Sequence, residues 1–460
     1  MPNHDQKSPE SPDGSDKPKI AVLAPVVDVR SGEVAPMFAS MLWIFLALTA
    51  YYIIKPIRST VLQTDIGVDN KAYALLATTA FVGVFAYVYG KIVPRVARNR
   101  LIIATFVIFI ACLSLFALVM PIGGKALGYV FYIWVSTFNL MVVSQFWSLA
   151  ADVWTKEEGK RLFGFIGVGA VGGGIFGTVV VSGFAKSLSI YQMLFLAAGI
   201  LGACLGLALY ILHFAQKRTT ADDLEKESKG DAPPPAKSQQ AENAIALVFG
   251  SPYLLLIALM MLLVNLVNTS NEWVFDKVLS RENLSKEELN AFYARYYLFQ
   301  NVITFCIQFF LTSRIQRRFG ARVALLFLPL VGMAGGLTFL ILPTLFVIRS
   351  LKIAENATDY SIQANTRELL YLPVSKIEKY SAKNFNDTFV VRAGDALAAG
   401  LIQVAVVMLI PMFGDAGLKI LIGVNLVLGV IWILIVTKIG RMHRDMMAAK
   451  GEPTEATKPA

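Results

Sequence analysis

The chain has 460 residues, of which 56% are hydrophobic and only 16% charged, with a mean hydropathy of +0.59 and a formal net charge of +10. A soluble protein of this length carries about a quarter charged residues and divides into separate domains, so a water-soluble globular enzyme is excluded. Apolar stretches near bilayer-crossing length recur from Met37 to Lys438, and lipid forces such stretches to be helices because it offers backbone groups no partner.

Residues 1–36 are polar and lack a signal peptide's basic start and apolar core, so they are expected to be a disordered cytoplasmic tail. Apolar runs and breakers then predict helices at 37–57, 71–93, 100–120, 125–152, 162–186 and 190–213, a first six-helix bundle over 37–213. Residues 214–246 hold charged and triple-proline runs and read as a cytoplasmic linker. A second bundle over 247–438 follows, with helices at 247–273, 290–313, 322–342, 344–370, 385–411 and 416–438, the split at Pro343 being the least marked. Residues 439–460 form a second cytoplasmic tail. The expected class is an all-α polytopic membrane protein of about twelve transmembrane helices.

Basic residues in the short loops set the orientation. One side receives Arg95, Arg98 and Arg100, then Lys156, Lys160 and Arg161, then Arg314, Arg317, Arg318 and Arg322, then Lys376, Lys379 and Lys383. The other side has Lys125, Lys186 and Lys419 singly, and Lys277, Arg281 and Lys286 offset by acids. Both termini and the linker are therefore expected in the cytoplasm, and the basic excess needs no nucleic-acid partner. "PRVARNRLI" after the second helix is echoed by "RIQRRFGARVAL" after the eighth. Asp152 and Glu368 each lead into a basic loop, a parallel six-plus-six repeat of the major-facilitator plan.

Charge at membrane depth is costly and usually lines a water-filled path. The tenth helix carries Arg349, Lys352, Asn356, Asp359 and Gln363 at steps of three or four, one polar stripe. The seventh carries Asn265, Thr269, Glu272 and Asp276, and the eighth Tyr297, Asn301, Thr304 and Gln308. Tyr132, Ser136 and Asn139 mark the fourth, with Asn139 matching Asn356 in the repeat; Tyr51, Lys55 and Arg58 end the first, and Thr388, Arg392 and Asp395 mark the eleventh. Each stripe alone could be a structural hydrogen-bond or ion-pair network, such as Asp359 with Lys352. Six together point to a central cavity whose cations attract a multivalent anion. Tyr51, Tyr132, Trp273 and Tyr297 could stack a base or simply pack.

"GVGAVGG" matches the dinucleotide fingerprint, but no strand precedes it; Gly169, Gly173 and Gly177 instead form a small-residue face for close helix packing. No phosphate-binding P-loop sequence occurs. Cys112, Cys204 and Cys306 lie in apolar stretches, and His4, His213 and His443 in a tail or near helix ends, so neither a metal centre nor another cofactor is expected.

"YYIIKPIRSTVL", "FWSLAADVWTKEEGKRLFGFIGVGAVGG" and "TRELLYLPVSKIEKYSAKNFNDT" resemble the nucleotide transporter (ATP/ADP translocase) family of plastids and intracellular bacteria, over about Tyr51 to Arg392. The resemblance implies a carrier that exchanges ATP for ADP and phosphate, or imports nucleotides with protons, on a major-facilitator-like scaffold in the inner membrane. By position it implies substrate-binding roles for the basic pair Lys55 and Arg58, for Glu158 before Lys160 and Arg161, for Lys383 with Asp387, and for an acid position falling at Asn271 or Glu272. Pro56 stands where the family often has Asp, and Arg58 where it has Lys, which leaves as the alternative a major-facilitator-type carrier of another phosphorylated or organic anion, or a metabolite or drug exporter. Arg349, Lys352, Asp359 and Arg392 complete the candidate substrate-binding set. Asp359 or Glu272 is the candidate carrier of a coupling proton.

Overall fold

The computed structural model describes residues 29–30, 32–185, 187–226 and 239–449, and among them there is no β-strand. The tail and linker expectations for residues 1–28, 227–238 and 450–460 lie outside the described residues.

In the first half, α1 (Val34–Ile66) and α2 (Val68–Ile92) are followed by α3 (Arg98–Val119), α4 (Lys125–Val153), α5 (Lys156–Phe184) and α6 (Ile190–Lys226). A short α7 (Gln239–Gly250) precedes α8 (Pro252–Leu279). Next come α9 (Lys286–Cys306, continued by a wider turn over Ile307–Thr312), α10 (Ser313–Ile341), α11 (345–369), α12 (376–413) and α13 (Ala416–Ala449).

Among the described residues ten helices are long and apolar enough to cross a membrane, and one of them, Lys286–Ile341, has 56 residues. That stretch is two spans, because Gly320 at φ 74° breaks it in the basic loop, a conformation that favours a residue without Cβ. Arg349, Lys352, Glu355 and Asp359 make α11 too charged to qualify on composition, yet it packs between α8, α9 and α10 as a span. The described residues thus hold twelve spans, as expected, with the break before α11 at 342–344.

Boundaries differ from expectation where caps decide them. The seventh span is not 247–273: Ser251 Oγ accepts from Leu254 N and Pro252 opens the helix, separating α7 from α8, which runs on to Leu279. Helix also enters the expected linker from both sides, since α6 reaches Lys226 and α7 starts at Gln239. Thr155 with Glu158 starts α5 and Ser375 with Glu378 starts α12, two reciprocal capping boxes.

The packing repeats. In the first half α1 contacts α4, α5 and α6, α3 contacts α6, and α2 contacts α4. In the second, α8 contacts α11, α12 and α13, α10 contacts α13, and α9 contacts α11. The two six-helix bundles meet along α2 with α12 and α5 with α9, pairs that exchange under the same correspondence.

The small-residue face of α5 is where α1 docks. A Cβ on Gly173 would strike the Phe45 carbonyl, one on Gly169 the Met41 carbonyl, and one on Gly177 would lie 2.6 Å from the Thr49 carbonyl. Each glycine therefore admits one turn of α1 backbone. Gly394 of α12 meets α8 in the same way, 2.9 Å from the Leu262 carbonyl.

The cores differ. Among the described residues the first half has one large apolar cluster and a small one at Leu62, Ile66, Ala74 and Tyr132, whereas the second divides into two large clusters and a small one at Ile315, Ala324 and Ile362. Between the two large ones lies a buried polar belt. Lys352 Nζ donates to the Asn268 carbonyl oxygens and to Glu355 Oε2 (3.0 Å). Asn271 donates to Glu355 Oε1 (2.7 Å), Asn425 to Asn271 (2.7 Å), and Ser270 to Asn425 (3.0 Å).

Candidate functional site

Where the bundles face each other, α1 turns its last apolar turns inward and places Lys55 and Arg58 one turn apart. The Lys55 ammonium lies 4.3 Å from the Tyr297 ring centroid, 5.2 Å from Tyr52 and 5.9 Å from Tyr51, with no carboxylate or hydrogen-bond acceptor among the described residues. Arg58 stacks 5.0 Å from the Tyr132 centroid and donates Nη1 to Ser136 Oγ at 3.2 Å, while its buried Nε has no partner. Ring faces hold the cations by their quadrupoles without neutralising them.

The opposite wall is α8, α9 and α11. Asn268, Glu272 and Asp276 come from α8, Tyr293, Tyr296 and Tyr297 from α9, and Asn356 and Tyr360 from α11. Together with Tyr51, Lys55 and Arg58 they enclose a polar chamber of about 200 Å³, the floor. A second chamber of about 310 Å³ shares Tyr51, Lys55 and Tyr360 and extends toward the basic-loop end, lined by Asn139, Gly174, Asn301, Thr304 and Gln308.

The floor's carboxylates are already engaged. Lys71, at the start of α2, is almost wholly buried and meets Asp276 Oδ2 at 2.6 Å and Glu272 Oε1 at 3.2 Å. Tyr293 donates to the other Asp276 oxygen at 2.8 Å. Three cations therefore face two carboxylates, a net charge of +1, and Lys55 and Arg58 are the two cations that bond to neither carboxylate. That excess positive charge, in a chamber with protein on most sides, attracts an anion.

Beyond the floor the bundles are clasped together. Lys277 pairs with Asp69 at 2.6 Å, Lys286 with Asp65 at 2.9 Å, and Gln63 donates to the Asp276 carbonyl at 2.9 Å. Trp273, fully buried, donates its indole N–H to the Val68 carbonyl at 3.1 Å, so it packs in the clasp and leaves no face for a base.

Of the candidate substrate-binding residues, the structure brings Lys55, Arg58 and Glu272 to one cavity. Asn271 turns away into the polar belt, and Lys352 is fully buried there, bonded to Glu355 behind Asn268. The alternative pairing of Lys352 with Asp359 is not what forms; Asp359 is half-buried where α11 opens into a wider turn over Asp359–Gln363. Arg349 stands by the rings of Phe346 (5.7 Å) and Phe292 (5.9 Å), outside both chambers. Glu158 caps α5 through a 2.9 Å bond from Thr155 N. Lys383 pairs with Glu368 at 2.7 Å near the basic-loop end, and Asp387 is exposed nearby. Arg392 pairs with Asp395 at 3.1 Å, which also accepts from Thr269 of α8. The side chain of Lys160 lies outside the described residues.

Lys71, Glu355 and the tyrosines 52, 293, 296 and 360 are site or near-site residues that sequence reasoning passed over. A signal existed for three of them: Glu355 stands three residues after Lys352, and "YARYY" sets Tyr293 and Tyr296 beside Tyr297 on α9.

The Major Facilitator Superfamily model matches residues 41–354. "ADP,ATP carrier protein 1" of Chlamydia muridarum is 22% identical, over 92% of this chain and 91% of that protein. "ADP,ATP carrier protein 2" of Chlamydia pneumoniae is also 22% identical, over 95% and 94%. Among solved structures, a bacterial homologue of the iron transporter ferroportin in an inward-facing state aligns with a TM-score of 0.61 at 12% identity, covering 88% of this chain and 99% of that one. The nucleoside transporter NupG aligns with a TM-score of 0.58 at 11% identity, covering 88% and 98%.

Proposed function

This chain belongs to the Major Facilitator Superfamily and is a multi-pass membrane transporter, and from that premise we propose that its cargo is a nucleotide, moved by alternating access of the two bundles. The observation that carries the proposal is the pair of cations, Lys55 and Arg58, neither of which is ion-paired among the described residues, in a cavity walled by tyrosines. Arginine offers a planar fork to phosphate oxygens and lysine a point charge. The tyrosine faces suit an aromatic base or a ribose. The ADP,ATP carrier relatives, matched nearly end to end, support the same cargo. The excess of basic loops at one end supports an inner-membrane orientation with that end and both termini in the cytoplasm. On this orientation the clasp closes the outer side and the larger chamber faces inward.

The test is uptake of labelled ATP and ADP into proteoliposomes, with and without nucleotide inside. Exchange predicts uptake only into preloaded vesicles, and Lys55→Gln should abolish it. If wild-type protein moves neither nucleotide under either condition, the proposal is wrong.

A further inference from the structure

The larger chamber differs chemically from the floor. Its polar lining is made of the amides of Asn139, Asn301 and Gln308, the hydroxyl of Thr304 and tyrosines, and its single charge is Lys55, shared at the boundary. Asn301 is anchored, donating Nδ2 to the Gly174 carbonyl at 3.2 Å, and Thr304 is satisfied by the Gln300 carbonyl at 2.8 Å. Asn139 from α4 and Gln308 from α9 are different: among the described residues neither side-chain amide has a protein partner. They stand on opposite bundles, so a ligand between them touches both halves of the carrier.

A primary amide presents a donor and an acceptor side by side, and so pairs with a ring edge that presents the complementary couple. Adenine offers such an edge on a rigid plane through its exocyclic amine and the adjacent ring nitrogen, and a fully ionised phosphate, which only accepts, does not. Gly174 lets the Tyr52 ring lie close against the chamber wall, since a Cβ there would press to 3.1 Å from that ring. Tyr52 and Tyr360 then supply faces beside the amides.

We propose that the larger chamber is a base-reading subsite in which Asn139 and Gln308 recognise the hydrogen-bonding edge of adenine, while the phosphoryl end occupies the floor at Lys55 and Arg58. The inference rests on the nucleotide reading above and adds polarity to it. The phosphoryl end lies deepest and the base nearest the basic-loop end. Base preference then resides in residues that carry no charge.

Purified full-length protein is titrated with AMP, GMP, UMP and ribose 5-phosphate, and binding is read by thermal stabilisation. Wild-type protein should prefer AMP to ribose 5-phosphate by about tenfold, the usual discrimination of one well-placed amide–base pair. The near-isosteric double variant Asn139→Leu, Gln308→Met should bind AMP, GMP and UMP as it binds ribose 5-phosphate, with ribose 5-phosphate unchanged from wild type. Asn139→Ala, Gln308→Ala should behave the same, which guards against misfit of the larger side chains. If base preference survives in both double variants while Lys55→Gln loses every phosphorylated ligand, the subsite is overturned and the nucleotide reading stands. Loss of ribose 5-phosphate along with AMP in both double variants also overturns it, because the amides would then be structural. If no phosphorylated ligand stabilises wild-type protein, both fall together.

Discussion

Lys55 and Arg58 are held by rings and a hydroxyl against their mutual repulsion, and this arrangement sets how many phosphoryl groups the floor can match. A single phosphoryl group near neutral pH carries between one and two negative charges, enough to offset the floor's net charge of +1, since Lys71 is committed to Glu272 and Asp276. The gain in affinity from adenosine to AMP should therefore be about tenfold or more, and the further gain from ADP to ATP less than about threefold. A series of dissociation constants checks this, and a steady gain with each added phosphate would point to cations beyond these two. Arg58→Lys keeps the charge but loses the planar contact with Tyr132 and the bond to Ser136, so nucleotide affinity should fall by about tenfold or more. The pair was legible in sequence because a charge ending an apolar helix stands out against its neighbours. Glu355 carried only the weaker signal of its spacing from Lys352, and its role was not legible because its other partner, Asn271 of α8, is 84 residues away. Lys71 was hidden more fully: it looks like an ordinary helix start, and its partner Asp276 is 205 residues away.

At the scale of elements, the two bundles share a plan but not an interior. Amphipathic phase, basic loops and breakers made the helices readable, since each depends on neighbours a few residues apart. The helix start at Ser251 was misjudged because a cap competes there with a continuing apolar pattern, and the end of α6 because the helix runs on to Lys226 through charged residues beyond its apolar run. The belt of Lys352, Glu355, Asn271 and Asn425 was unreadable, because it joins three helices through side chains on faces that look apolar. Lys352 is fully buried, so Lys352→Met leaves the Glu355 carboxylate without its cation and should destabilise the bundle by about 3–5 kcal/mol. The double variant Lys352→Met, Glu355→Met should recover most of that loss, since two apolar side chains of similar bulk replace a buried pair. Thermal unfolding of both in the same detergent decides it; a double variant as unstable as the single would mean that the belt's hydrogen bonds outweigh its charge balance. On the other bundle, Gly173→Leu should prevent α1 from seating on α5 and abolish folding into the membrane, whereas Gly167→Leu, with open space beside it, should be tolerated. Yield of monodisperse protein separates these outcomes.

Across the whole molecule, the ion pairs of the clasp join the two bundles at the end away from the basic loops, and they vary in exposure. Lys71 with Asp276 is buried, while Lys277 with Asp69 is partly exposed and screened by salt. Lys71→Gln leaves Glu272 and Asp276, one turn apart on α8, without the cation from the other bundle that bonds both, and should shift the population toward the state open at that end. A cysteine placed at Gln63 should then label faster with a membrane-impermeant reagent applied from that side, by about tenfold; unchanged labelling would mean that the indole and tyrosine contacts hold the clasp alone. Ligand and clasp are linked through Glu272, which lines the floor and bonds Lys71.

The seating of α1 backbone against α5 glycines has a mechanical consequence for that cycle. Helices in carbonyl-to-glycine contact have no side-chain layer over which to slide, so α1 and α5 travel as a single lever. Spin labels placed one on each should keep a constant separation in every state of the transport cycle, while a pair placed on α2 and α12 should not. Lys55 and Arg58 are bolted to that lever, so the cargo's charged end is carried by one bundle throughout, and its release is timed by the other bundle's tyrosines and amides moving away.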